Sequence, residues 1–164
     1  MNRRLAPLIP ATLVLLALRT PALLAQTAPI QDLATFPRTT LEIVSGRQVH
    51  RFEVWIADTD ARKTQGLMFV RDLPADEGML FVDCCSGIWM KNTYIPLDIV
   101  FVGPDGRIAK IAPRARPFDE STIGAPGPVE AVVELKGGEA QQLGIRVGDR
   151  VKWTSGVQKR QAPG

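Results

Sequence analysis

The sequence has very few of the side chains with which enzymes most often do chemistry. Its 164 residues include one histidine, His50, and two cysteines, Cys84 and Cys85. A Ser–His–Asp or Cys–His catalytic group would therefore have to use His50, which shares a predicted strand face with apolar residues. The chain also lacks a nucleophile elbow, a phosphate-binding glycine loop and a zinc-ligand spacing. These absences argue against the common hydrolase, nucleotide-binding and zinc-binding classes.

An excess of charge is also missing once the N-terminus is set aside. The whole chain has 20 basic and 17 acidic side chains, a formal net charge of +3. Three of the basic residues, Arg3, Arg4 and Arg19, lie in the first 25 residues, and without them 17 basic residues face 17 acidic ones. Nucleic-acid affinity rests on the neutralisation of phosphates by basic side chains. The balance predicts no nucleic-acid partner, and no polybasic helix for a membrane surface is present.

Residues 1–25 have the order of a secretory signal peptide. The basic start Asn2–Arg4 is followed by the apolar stretch Leu8–Leu18 and by small residues up to Ala25, where a signal peptidase would cut. The apolar stretch is too short to span a bilayer. We predict cleavage after Ala25, with Ala22 or Ala28 as alternatives. The protein is then exported, periplasmic or secreted, with no stable membrane anchor after cleavage.

The remainder of the chain predicts one mainly β domain. Residues 26–38 are expected to form a flexible leader, 39–154 a single domain and 155–164 a disordered tail. Alternating apolar residues and frequent turns predict short strands, and two short helices are expected at Asp58–Met68 and Gly138–Gly144. Ala112–Pro128 reads as a long irregular loop. Because no parallel strand–helix–strand repeat appears, we expect an antiparallel β-sandwich or a barrel-like domain. The strands are predicted at Thr40–Val44, Val49–Ile56, Met79–Val82, Ile88–Lys91, Leu97–Val102, Ile108–Ile111 and Val129–Leu135, and within Val147–Trp153.

Three long motifs resemble the domain of unknown function 192 family. They are GLMFVRDLPADEGMLFV (Gly66–Val82), WMKNTYIPLDIVFVGPDGRI (Trp89–Ile108) and VEAVVELKGGEAQQLGIRVGDRV (Val129–Val151). The resemblance runs from about Thr40 to Trp153. It implies a compact β-sandwich or barrel-like domain, often exported in bacteria, and it implies no activity or cofactor. The chain departs from the family pattern between Val82 and Trp89, where a short hairpin carries the two cysteines.

Polar residues within WMKNTYIPLD are the first candidates for a site. Lys91 and Asp98 flank a six-residue connection between two predicted strands. They could pair across the ladder, which would contribute roughly 0.2–1 kcal/mol. Alternatively, Trp89, Lys91, Asn92 and Asp98 could form the rim of a pocket, with the indole as an apolar platform. Arg71 and the loop Ala112–Pro128 are then expected to extend that rim.

Sulfur-containing residues offer a second hypothesis. Met68, Met79 and Met90 are spaced at intervals of eleven, and thioether ligands suit Cu(I). The alternative is that each methionine fills a gap in the core. In an oxidising compartment, Cys84 and Cys85 can form a strained vicinal disulfide, bridge two chains or stay as thiols. A redox role for this pair is the alternative to an incidental loop feature.

Two acidic residues supply a third hypothesis. Asp98 and Glu134 each interrupt an apolar strand, where an unpaired charge is costly to bury. Together they could serve a carboxylate-based envelope enzyme. The interpretation that we favour is an exported, non-catalytic β domain that binds a small molecule or a cell-envelope component. Soft-metal or thiol redox handling comes second. The sequence assigns neither a cofactor nor an oligomeric state.

Overall fold

Short strands dominate the computed structural model, which describes residues 29–84 and 87–154. The predicted signal peptide, Cys85 and the predicted tail lie outside the described residues. No helix in the described ranges is long and apolar enough to cross a membrane. The strands are β1 (Arg38–Ser45), β2 (Gln48–Ala57), β3 (Glu77–Val82), β4 (Gly87–Ile88), β5 (Leu97–Val102), β6 (Ile108–Ala115), β7 (Ile123–Gly124), β8 (Ala131–Lys136) and β9 (Arg150–Trp153), and the α-helices are α1 (Asp60–Gln65) and α2 (Glu139–Gln142).

Seven strands form one curled sheet in the order β6-β5-β8-β3-β2-β1-β9, and β4 pairs with β7 in a small second sheet. The curl brings the two edge strands together at one corner. There the backbone N–H of Ile108 donates to the carbonyl of Asp149 at 2.9 Å, and that of Val151 donates to Gly106 at 2.9 Å. The sheet is therefore a half-barrel, which confirms the predicted mainly β, barrel-like class.

One strand pair departs from the expected antiparallel pattern. β2 and β3 run parallel, and α1 connects them. A side chain caps the start of α1, because the hydroxyl of Thr59 accepts the backbone N–H of Arg62 at 3.3 Å. The helix ends at Gln65, before the predicted Met68, because Gly66 has a φ of 50°. A helix of only six residues was too short to be read as a crossover.

Three central strands, β3, β5 and β8, are buried on both faces of the sheet. Successive side chains of a strand point to opposite faces. Leu80, Val100 and Val133 belong to a first core cluster, which also includes residues of both edge strands and so fills the inside of the curl. Their neighbours Met79 and Ile99 belong to a second cluster on the opposite face. Burial on both faces explains why these strands read as continuous apolar runs.

Asp98 anchors β5 to two neighbouring segments. Its carboxylate is fully buried, and Oδ1 accepts the backbone N–H groups of Arg114 and Gly138, each at 2.8 Å. Oδ2 accepts the backbone N–H of Ala140 in α2 at 2.9 Å. No ion pair joins Lys91 to Asp98 in the part of the chain described here. The predicted pair is therefore wrong, because backbone donors occupy the carboxylate.

The expected leader is held against the domain along its described part. The backbone N–H of Gln31 donates to Oε1 of Gln65 at 2.6 Å, and Nε2 of Gln65 donates back to the carbonyl of Gln31 at 2.8 Å. A short 3₁₀ helix follows at Leu33–Thr35, and Phe36 is buried in the second core cluster. Residues 29–37 thus cover one end of α1 before β1 begins.

We expect Asp98→Ala to destabilise the fold by about 3–5 kcal/mol, because three backbone donors, two of them buried, lose their carboxylate acceptor. Urea unfolding of the wild type and the variant measures this loss. Asp72→Ala is the matched control, since Asp72 is exposed and makes only a 3.9 Å ion pair with Lys136. Equal losses in the two variants would contradict the anchoring role of Asp98.

Candidate functional site

A small cleft lies on the face of the sheet that carries the second core cluster. The segment after α1 forms one wall, residues 88–93 form the other, and β8 supplies the floor. The space open to water is about 20 Å³, enough for about one water molecule or one small chemical group. The lining residues used below are Lys63, Gly66, Leu67, Trp89, Lys91 and Glu134.

Glu134 places a carboxyl group at the floor of this cleft. On β8 it lies opposite Met79 of β3 and Ile99 of β5, both fully buried. Its Oε2 atom is buried without a hydrogen-bond partner. Loss of hydration raises the pKa of Glu134 to about 8, although a backbone hydrogen bond with Leu67 acts in the opposite direction. The carboxyl group is therefore predominantly neutral at pH 7.

Gly66 allows the backbone to pass close over the carboxyl group. It has φ 50° and ψ −136°, a conformation that residues with a side chain rarely adopt. A Cβ atom here would lie 3.2 Å from Cζ of Phe81 and 3.7 Å from Oε2 of Glu134. Glycine therefore satisfies both the backbone conformation and the limited space beside the cleft floor.

Two lysines and a tryptophan surround the cleft mouth. Trp89 is 42% exposed, and Nζ of Lys91 lies 4.9 Å from the centre of its ring, a cation–π contact. Nζ of Lys63 donates to the backbone carbonyl of Asp83 at 3.1 Å. Glu134 is the one acidic side chain among the described residues that line the cleft. The mouth is therefore positively charged around a neutral floor.

Strained backbone lies next to this mouth. Phe69, Asn92 and Phe118 have φ angles of 66°, 54° and 61°. The N–H of Phe69 donates to the carbonyl of Asn92 at 2.9 Å, and that of Phe118 donates to Thr93 at 3.3 Å. Tyr94 lies between the two phenyl rings, with centroid distances of 5.9 and 5.4 Å. Positive φ at such residues costs on the order of 1–3 kcal/mol each and clusters at functional sites.

Only some of the residues predicted to form a pocket rim lie at or near the cleft. Trp89 and Lys91 line the cleft, and Asn92 lies next to Lys91, its amide donating to Sδ of Met68 at 3.9 Å. The guanidinium of Arg71 lies 4.8 Å from the ring centre of Tyr94, beside the residues with positive φ described above. Asp98 does not belong to this group, because its carboxylate anchors the backbone on the other face. Whether the remaining four bind a ligand stays a prediction.

The predicted pairing of Asp98 with Glu134 is wrong. Asp98 pairs in register with Leu135, whereas Glu134 pairs with Ile99. Neighbouring residues of a strand point to opposite faces, so the two carboxyl groups lie on opposite sides of the sheet. His50 shares the face of Phe52, which belongs to the first core cluster, and its Nε2 atom is buried without a hydrogen-bond partner. Glu134 therefore has neither of these groups as a catalytic partner.

The methionines lie in two environments. Met79 and Met90 are fully buried in the second core cluster, as core gap-fillers would be, while Met68 lines the cleft. Within residues 29–84 and 87–154, no group of three or more His, Cys, Asp or Glu side chains could hold a metal ion. Thioether ligands are a separate case, so a Cu(I) site formed by the three methionines stays a prediction.

Cys84 is disulfide-bonded and half-buried, and it packs against the second core cluster. The free-thiol state considered for this residue therefore does not apply. Cys85, for which a vicinal bond and a redox role are alternatives to an incidental loop feature, lies outside the described residues. A redox role for the pair stays a prediction.

Sequence signals exist for two of the cleft residues. Glu134 is the single acid within the apolar run AVVEL, which marks a buried polar group but not its neighbours. Gly66 ends a short helical pattern, which is a usual place for positive φ. Lys63 lies within the predicted helix Asp58–Met68 and carries no signal of its own. None of these signals shows that the three residues meet at one cleft.

The fold and the cleft together define the class of protein: a curled, mainly β half-barrel with a small polar cleft. The cleft lies on the outer face of the curled sheet, which carries the second core cluster. The model of a family of uncharacterised proteins, DUF192, matches residues 41–153. The chain belongs to the DUF192 family.

Two solved structures share this fold. A protein of unknown function from Novosphingobium aromaticivorans is 39% identical, with a TM-score of 0.72 over 79% of this chain and 94% of that chain. A Sinorhizobium meliloti protein, described as a candidate transcription regulator, is 34% identical, with a TM-score of 0.69 over 72% of this chain and 95% of that chain. No curated protein matches the chain.

We expect Glu134→Gln to stabilise the fold at pH 8 and to leave stability unchanged near pH 4. The carboxyl group loses its proton near pH 4.5 when unfolded and near pH 8 when folded. Folding therefore becomes less favourable as pH rises through that window, by at most about 5 kcal/mol in total, and changes no further above it. Thermal unfolding of both proteins from pH 4 to pH 9 measures the difference.

Glu120→Gln is the control for this measurement, because Glu120 is exposed. Burial also raises the pKa of Glu139, which both proteins retain, so some pH dependence of the same sign remains in the variant. Parallel curves for wild type and Glu134→Gln across the whole range would contradict the buried, neutral state of Glu134.

Proposed function

We propose that the protein is exported and binds a small molecule, or a small group of a cell-envelope component, in the cleft without catalysing a reaction. The observation that carries this proposal is the carboxyl group of Glu134, buried at the cleft floor with an unpartnered oxygen. Leaving a polar atom buried and unpartnered costs about 1–3 kcal/mol. A polar ligand group that bonds this atom would recover that free energy, and it would replace the one water molecule that the space can also hold.

The size of the cleft limits what it can hold. Its volume of about 20 Å³ is far below the roughly 300–1,000 Å³ of a site that encloses a whole drug-sized ligand. One small polar group fits the floor, and the rest of the ligand would lie outside, against the exposed indole of Trp89. Rotations of the long side chains of Lys63, Met68 and Lys91 can open the way to the floor.

The arrangement of titratable groups supports binding over catalysis. General acid–base and nucleophilic mechanisms usually place two such groups within hydrogen-bonding distance of each other. Asp98 and His50, which were the sequence-based candidates, lie on the other face of the sheet. A role in transcription, as in the description of the Sinorhizobium relative, is not part of this proposal, since the chain without its first 25 residues has balanced charge.

Fragment binding tests the cleft. We expect small polar fragments, titrated into ¹⁵N-labelled protein, to shift the backbone N–H signals of Gly66 and Leu67 and the indole signal of Trp89. Trp89→Ala should weaken binding about tenfold by removing the platform, whereas Val147→Ala, an exposed residue outside the cleft, should have no effect. Shifts that map elsewhere, or equal affinity in the Trp89 variant, would count against this site.

Export is tested separately by expressing the full chain in a Gram-negative bacterium and separating the compartments. We expect the protein in the periplasm or medium, with an N-terminus at Gln26 measured by mass spectrometry. An intact N-terminus in the cytoplasmic fraction would reject the export part of the proposal and leave the binding part standing.

A further inference from the structure

We propose that the group bound at the cleft floor is the carboxylate of a small organic acid. This inference rests on the proposed binding function of the cleft and adds the chemistry of the ligand. It depends on three features of the described residues: the charges that line the cleft, the unpartnered atom at its floor and the shape of the available space.

The charges around the cleft favour an anion. Lys63 and Lys91 both line it, and the one acidic side chain there, Glu134, is neutral at pH 7 because burial raises its pKa to about 8. At the mouth, a cationic ligand would meet two lysines with no ionised acid among the lining residues, whereas an anion would be attracted there. Lys91 also keeps its ammonium beside the Trp89 ring, at the mouth of the cleft.

The floor offers a hydrogen-bond donor that suits an anionic oxygen. The carboxyl group of Glu134 already has a hydrogen bond with the backbone of Leu67, and Oε2 is the atom without a partner. In the neutral acid, an O–H group at Oε2 can donate to an oxygen of the ligand. Two carboxyl groups that share one proton form a strong hydrogen bond, and the same pair repels when both are ionised.

The space and the mouth suit a planar group with an apolar extension. About 20 Å³ admits about one ligand oxygen at the floor, so a flat carboxylate enters more readily than a larger tetrahedral anion. Trp89, 42% exposed, is available to pack against a short hydrocarbon part of the ligand. An organic acid with a small apolar body matches all three features.

Three probes with the same carbon skeleton separate the ligand classes: acetate, acetamide and acetamidinium. Each is titrated at pH 6 into the ¹⁵N-labelled full chain, and the backbone N–H of Leu67 reports occupancy of the floor. We expect acetate to bind at least about tenfold more tightly than the other two, because two lysines line the cleft and a neutral donor lies at its floor. Above about pH 8, acetate affinity should fall about tenfold per pH unit as Glu134 ionises.

Variants identify the groups responsible. Glu134→Gln keeps a donor at the floor, so acetate should still bind and the decline above pH 8 should disappear. Lys91→Gln should weaken acetate binding about threefold or more by removing one positive charge, and Lys136→Gln, an exposed lysine outside the cleft, should not. Benzoate should bind more tightly than acetate in the wild type and lose that advantage in Trp89→Ala.

Specific outcomes overturn the inference. Tighter binding of acetamidinium or acetamide than of acetate at Leu67 would identify a different ligand class while supporting the proposed binding function. Acetate affinity that rises with pH, or that declines equally in Glu134→Gln, would show that the proton of Glu134 takes no part. Absence of acetate shifts at Leu67 also rejects the carboxylate, and the proposed function is then judged by the wider set of fragments.

Discussion

Burial of both faces of β3, β5 and β8 is the constraint on which the rest of the structure depends. A strand covered on both sides can carry a polar side chain only if that side chain has a partner or becomes neutral. Asp98 meets the first condition, because three backbone N–H groups bind its carboxylate. Glu134 meets the second condition, since desolvation raises its pKa to about 8. The two acids thus lie on opposite faces of one sheet. Asp98 stabilises the fold on one face, and Glu134 lies in the cleft on the other.

The cleft on this face results from the path that the chain takes between β2 and β3. α1 is too short to cover the second core cluster alone, so Leu67 and Leu73, from the connection to β3, are buried there as well. The positive φ of Gly66 turns that connection over Glu134. Backbone bonds from Phe69 to Asn92 and from Phe118 to Thr93 then fix the loops around the mouth. The cleft is thus formed where two connections meet over one strand, and a third connection lies beside its mouth.

Much of the fold could be predicted because its strands carry strong local patterns. The span Leu97–Val102 is predicted with the observed bounds, and a helix is predicted where α1 lies. The parallel pairing of β2 with β3 could not be predicted, because it depends on a long-range contact after a helix of six residues. The faces of Asp98 and Glu134 depend on register between strands, which local sequence does not reveal. Trp89 and Lys91 were recognised as neighbours, whereas Lys63, Gly66 and Glu134 come from distant segments that only folding brings together.

The corner where the curled sheet meets itself also affects how the protein behaves among copies of itself. Strand edges with free N–H and C=O groups are templates on which other chains can add strands and aggregate. Here the backbones of Gly106 and Ile108 bond to those of Val151 and Asp149, so each edge occupies part of the other. The turn at Gly106 and the start of β9 thereby hinder the addition of a strand from another chain. Losing the final strand would uncover β1 and the start of β6 at the same time.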